Sequence, residues 1–173
     1  MRKIIVLALA LAISAGTYAQ TEEGSFLIEA NTSFASIGGV LGGGTGFTLS
    51  STDGSTIWNI GGEGGYFVKD NLALKFGLGY GDIDGITLFS WRVGAKYYVN
   101  NSIPFQVDFT GQNSDELFFG ENSTYLGLQG GYAIFIGESK RVSFEPSLRY
   151  NISLNSDFFD DIFQIQAGFA IFL

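Results

Sequence analysis

The sequence predicts an all-β protein: an eight-stranded antiparallel up-and-down transmembrane β-barrel that follows a cleaved signal peptide. Three observations predict it. The 173-residue chain opens on a basic and then apolar leader, apolar and polar residues alternate with period 2 beyond residue 20, and the alternating segments are long. Period-2 alternation is the mark of a strand with two unlike faces, and no 3.6-residue periodicity competes with it.

The leader comes first. Arg2 and Lys3 precede an apolar and small-residue run from Ile4 to Ala15, and Thr17-Tyr18-Ala19 places small residues at the −3 and −1 positions. This is the pattern of a secretory signal, with cleavage expected before Gln20. A spanning helix needs about 18 apolar residues, and the run of twelve is too short. The expected division is residues 1–19 as signal peptide and 20–173 as the barrel domain. Of nine bases, loss of Arg2 and Lys3 leaves seven against 17 acids, a net charge of −10.

The strands follow in order at about 25–35, 56–68, 72–80, 86–99, 105–113, 124–136, 141–154 and 161–173. The third is the clearest: Leu72, Leu74, Phe76, Leu78 and Tyr80 alternate with Ala73, Lys75, Gly77 and Gly79. Strands of soluble sheets have a mode of about 5–6 residues, whereas a tilted strand needs about 9–11 to cross a bilayer. Tight turns are expected at Lys69-Asp70-Asn71, at Asn100 to Pro104 and at Gly137 to Lys140. Longer loops are expected at 36–55, 114–123 and 155–160, with Gly81 to Gly85 a short exception. Short turns at one end and long loops at the other describe an up-and-down barrel. Similar words precede the turns: Gly64-Gly65-Tyr66-Phe67-Val68, Gly94-Ala95-Lys96-Tyr97-Tyr98-Val99 and Gly130-Gly131-Tyr132-Ala133-Ile134.

One alternating set, from Phe26 and Ile28 to Ile171 and Leu173, is apolar and free of charge, as lipid demands; a charge there costs about 2–4 kcal/mol near the bilayer midplane. Tyr66, Tyr97 and Tyr98 near the turns, and Trp58, Tyr80 and Tyr150 near the loops, suit two aromatic girdles. The other set carries a charge network: Glu29, Glu63, Lys75, Arg92, Lys96, Asp108, Glu145 and Arg149. Four acids and four bases make it neutral, and Glu63–Lys75 and Lys96–Asp108 are expected to pair across their hairpins. Eight strands leave a lumen only wide enough for side chains to fill, and the many Gly, Ala and Ser of this face make room for the long ones. Pro146, which removes a ladder donor, is expected to mark a bulge. The inside-out alternative is a secreted, soluble, lipocalin-like lipid-binding barrel with the apolar set inward.

At this point a resemblance enters. Gly64-Gly65-Tyr66-Phe67-Val68-Lys69-Asp70-Asn71-Leu72-Ala73-Leu74 resembles the hairpin of small outer-membrane β-barrel proteins common in Bacteroidetes-type bacteria, and Phe144-Glu145-Pro146-Ser147-Leu148-Arg149-Tyr150 resembles a later strand of the same family. The Ala19-Gln20 junction is similar to their signal cleavage sites. The resemblance implies an OmpX-like barrel, akin also to the OmpA transmembrane domain, in the outer membrane of a Gram-negative bacterium. The sequence departs from the family in ending on Leu173 where many members end on Phe, and in carrying no peptidoglycan-binding module.

Composition narrows function. With no His and no Cys the chain has no Ser–His–Asp triad, His base, thiol nucleophile or zinc cluster. No catalytic residue, cofactor or metal ligand is expected, and the acidic balance disfavours nucleic acid, which is bound through Lys and Arg. The Gly-rich run ending Gly44-Thr45-Gly46 lacks the Lys of a phosphate loop. Asp53, Asp82, Asp84, Asp115, Glu116, Glu121, Asp157, Asp160 and Asp161 gather at the loop end as an acidic rim with some potential for divalent cations. Asp115, Glu116, Phe118, Phe119, Asp157, Phe158, Phe159, Asp160 and Asp161 form a possible loop binding surface. The expected function is that of a non-enzymatic integral outer-membrane barrel with an envelope structural or loop-mediated binding role; the alternative is a narrow pore or small-solute transporter. Expected partners are outer-membrane lipid and lipopolysaccharide, the barrel-assembly machinery and an extracellular ligand.

Overall fold

A computed structural model describes residues 21–37, 44–52, 55–113 and 123–173. Ten strands form one antiparallel sheet: β1 (Phe26–Ile37), β2 (Phe47–Thr52), β3 (Ser55–Lys69), β4 (Leu72–Ile83), β5 (Ile86–Val99), β6 (Ile103–Asn113), β7 (Ser123–Gly131), β8 (Ile134–Ile136), β9 (Val142–Ser153) and β10 (Ile162–Phe172). The order around the sheet is β1-β10-β9-β7-β6-β5-β4-β3-β2 with β8 also on β9, and β1 pairs with both β10 and β3, which closes it. Counting β7 and β8 as one stave and β2 as an extension beside β3, the barrel has eight staves.

The turns follow from local chemistry. Asn100 and Asn101 both hold positive φ, 50° and 59°, as do Asp84 and Gly85 at 52° and 91°. Two consecutive left-handed residues make the turn whose twist matches that of the flanking strands, and Asn and Asp-Gly tolerate it best. The second pair joins β4 directly to β5 with Ile83 opposite Ile86, so β4 runs past Tyr80, the end expected for it, to the tip of its hairpin.

Two other expectations are corrected. The long loop at 36–55 contains strand β2, whose Phe47 to Thr52 ladder onto Ile60 to Ser55 of β3. Its Ser/Thr-rich alternation reads as loop until a partner strand is supplied. No bulge marks Pro146: the register Gly131↔Ser147 resumes as Ile134↔Phe144 with no residue gained or lost. The ladder instead lapses over Tyr132 and Ala133, where Pro146 supplies no N–H; its carbonyl still accepts from Tyr132 N at 3.1 Å. Bulges fall between Ser33 and Ala35 of β1 and between Phe67 and Lys69 of β3.

The apolar set faces outward. Phe26, Ile28, Phe76, Val107, Leu148 and Phe169 are all more than half exposed, while all eight charges of the opposite face are buried. An inside-out soluble barrel would show the reverse, so the lipocalin-like alternative is excluded by the direction of the side chains. Outward Trp91 lies flat over Gly111, which has no side chain to displace it.

Candidate functional site

The lumen is filled in three layers. At the turn end sits an apolar plug that the polar-lumen expectation missed. Leu27, Phe67, Tyr98 and Phe172 are each at most 2% exposed and pack with Ala73, Ala133, Ala170 and the edge of Phe135. The ring centroids of Phe67, Tyr98 and Phe172 lie 5.9 to 6.3 Å apart, and Phe135 stands 5.5 Å from Phe172. Tyr98 is therefore an interior residue and not part of the girdle. The signal lay in the doublets Tyr66-Phe67 and Tyr97-Tyr98: adjacent strand residues face opposite ways, so one ring of each doublet must point inward. Four plug residues are held by the same device. The N–H groups of Phe67, Tyr98, Ala133 and Phe172 donate to the carbonyls of Ser25, Asn71, Ser102 and Arg141 at 2.9, 2.9, 2.7 and 2.8 Å.

The middle layer holds the eight charges as one linked chain of alternating sign. Glu145 Oε2 meets Lys96 Nζ at 2.5 Å, Lys96 meets Glu29 at 2.8 Å, Glu29 meets Lys75 at 2.8 Å and Lys75 meets Glu63 at 2.7 Å. Glu63 binds Arg92, Arg92 lies 3.5 Å from Asp108, and Asp108 takes Arg149 through two bonds of 2.6 and 2.7 Å. Neutral groups complete the shell: Gln106 bridges Lys75 and Asp108 at 2.7 Å each, Thr110 donates to Asp108 at 2.8 Å, and Tyr98 and Ser143 donate to Glu145 at 3.1 and 2.7 Å. Buried charges persist only when paired and hydrogen-bonded, and here each has at least one opposite partner. The Glu63–Lys75 pair forms across its hairpin. Lys96 does not meet Asp108: Gln106 stands directly opposite Lys96, and the ammonium reaches across the lumen to Glu29 and Glu145.

The outer layer is made largely of amides and hydroxyls, among them Asn31, Asn59, Gln112, Asn151, Gln164 and Gln166, with Leu88, Tyr125 and Ile162 also buried at the loop end. A re-entrant segment, Gly44-Thr45-Gly46, joins it. Thr45 is 1% exposed and donates to Glu63 Oε1 at 2.6 Å, and Asn59 Nδ2 donates to the carbonyls of Gly44 and Gly46 at 2.9 and 2.8 Å. The inward glycines of β4 explain themselves here: a Cβ on Gly79 would collide with the Gly44 carbonyl, and one on Gly77 would press on Thr45.

Of the loop surface, Asp115, Glu116, Phe118 and Phe119 lie outside the described residues, as do Asp53 and Glu121 of the rim. The connection between β9 and β10 carries Asp157, Phe158, Phe159, Asp160 and Asp161. Phe158 is 63% exposed, and the N–H groups of Phe158 and Phe159 both donate to Asn155 O, at 3.1 and 3.0 Å. Asp161 anchors this loop by accepting from the Tyr150 hydroxyl at 2.7 Å and from Ser153 N at 2.8 Å. Those two donors hold the Asp161 carboxyl below its ordinary pKa. Asp82 accepts from Gly85 N within the β4–β5 turn, and Asp84 accepts from Thr56 N of β3. Among the described residues no three acidic side chains converge as a metal centre would require.

No protein-family model matches the chain, and no curated protein matches it. Solved structures do. The N-terminal β-barrel domain of Pseudomonas aeruginosa OprF matches with a TM-score of 0.57 at 16% identity, over 87% of this chain and 98% of that one. A de novo designed transmembrane β-barrel matches with a TM-score of 0.50 at 13% identity, over 90% and 100% of the two chains. Neisserial surface protein A gives 0.46 at 18% identity, over 86% and 99%. At such identities the likeness is one of fold, and by fold this chain is a small β-barrel of the outer-membrane type.

Proposed function

We propose that the protein is a non-enzymatic integral barrel of a Gram-negative outer membrane, exported by its leader and acting as an envelope structural element or through its loops. The observation that carries this reading is the plug: Phe67, Tyr98 and Phe172 pack ring against ring across the turn end of the lumen, beneath a layer of charges that bind one another. A passage for solute needs a continuous wet path, and a dry aromatic layer interrupts it. The outward apolar belt supports lipid and lipopolysaccharide as its surroundings, and a strand-built chain of this kind is a substrate for the barrel-assembly machinery. The carboxylates that accept from the Thr45, Thr110 and Ser143 hydroxyls are each also bound by Lys or Arg, which makes them poor bases and favours a non-catalytic role.

Planar-bilayer recording on refolded protein tests the reading. We expect no steady conductance; a stable, solute-permeable channel would establish the narrow pore instead. Replacing residues 155–160 with a short Gly-Asn turn should leave the barrel folded while removing any surface binding carried by the exposed Phe158.

A further inference from the structure

A polar cavity of about 40 Å³ lies in the outer layer of the lumen, between Asn31, Asn59 and Gln166, with Thr45 and Thr48 on one side and Arg92 on another. Three side-chain oxygens of these residues, Asn31 Oδ1, Asn59 Oδ1 and Gln166 Oε1, have no hydrogen-bond partner among the described residues. Their residues are only 6%, 2% and 6% exposed.

The three amides cannot escape by rotating. Asn31 Nδ2 donates to the Glu29 carboxylate at 2.8 Å, and Asn59 Nδ2 to two backbone carbonyls. Gln166 Nε2 donates to Gln164 Oε1 at 3.1 Å. That oxygen is itself fixed as an acceptor by Asn151 Nδ2 at 3.0 Å, and Asn151 Oδ1 by Arg149 Nε at 2.7 Å. Reversing any of the three would set oxygen against oxygen. The charge network thus orients Asn31 and Gln166, and the re-entrant backbone orients Asn59, which leaves three acceptors without donors beside one polar space. Buried acceptors of this kind call for a donor.

We propose that this cavity is a hydration site, in which ordered water donates to Asn31, Asn59 and Gln166 and links the re-entrant segment to β1 and β10. Size and charge both select water. A cavity needs roughly 10–15 Å³ of such volume to admit a water, which this one exceeds. A cation would sit beside Arg92 in a lumen whose four acids already balance four bases, whereas water brings donors without charge.

Solution NMR of the refolded protein in detergent micelles tests this, with sodium, potassium and choline chloride as the salts. Long-lived water contacts are expected at the side-chain amide protons of Asn31, Asn59 and Gln166, with positions unchanged between salts. Absence of water contacts at all three would overturn the proposal. So would shifts of these amides with sodium or potassium but not choline, which would make the cavity a cation site. In Gln166→Met, which fills the space with an apolar chain, the contacts at Asn31 and Asn59 should disappear; their persistence would also overturn it. The unsubstituted protein alone decides the question if that variant fails to fold.

Discussion

At the scale of single residues, the interior contains two kinds of indispensable side chain. Phe67 is fully buried within the plug, and Phe67→Ala leaves a cavity beside the rings of Tyr98 and Phe172. A loss of about 3–5 kcal/mol is expected, read as a lower urea midpoint of the refolded protein. Arg149 is equally buried and holds Asp108 by two bonds. Arg149→Met leaves the buried Asp108 carboxylate with only the longer Arg92 contact as an ion pair and should cost about 3–5 kcal/mol. Asp108→Leu in that background should recover part of the loss, and a strictly additive double-mutant cycle would show that the two do not interact. Outside the membrane-spanning strands, Asp161 gives a pH signature. Because its folded pKa is lowered by the Tyr150 and Ser153 donors, the tether of the β9–β10 loop is complete above the ordinary carboxylate range. It is lost as pH falls through the lowered value. The Tyr150 resonances followed by NMR should report that release, and Asp161→Asn should abolish the titration.

At the scale of elements, the strands were legible because lipid on one side and charge on the other enforce period 2 throughout. What escaped was whatever breaks that period or depends on a partner. Strand β2 escaped because Thr48, Ser50 and Ser51 have loop chemistry and gain strand identity only from β3. The plug escaped because alternation sorts faces but does not say that Leu27 and Phe172, inward at the turn end, meet one another. The eight charges were legible as one face, yet their pairing was not, since Lys96 reaches across the lumen instead of to the adjacent strand. The re-entrant segment has its own test. Gly79→Ala pushes a methyl group into the Gly44 carbonyl, whereas Gly64→Ala on the outer face of β3 meets nothing within 4 Å. We expect the first to cost about 1–3 kcal/mol and to shift the Thr45 resonances, and the second to leave Thr45 undisturbed.

At the scale of the whole molecule, the layers divide the labour: a lipid-matched exterior, a dry inner end, an ionic middle and a polar outer end. Their order explains why a chain with only 15% charged residues can still bury eight of them. The ionic layer also has a consequence for assembly. Its alternating chain draws members from β1, β3, β4, β5, β6 and β9: the β3–β4 and β5–β6 hairpins each hold one pair of their own, Glu63–Lys75 and Arg92–Asp108, whereas Glu29, Lys96, Glu145 and Arg149 are matched only between hairpins. A strand joined one residue out of step would turn its interior charges toward lipid. Those four charges are satisfied only when the staves join in the right order, so the network works as a checksum on strand order.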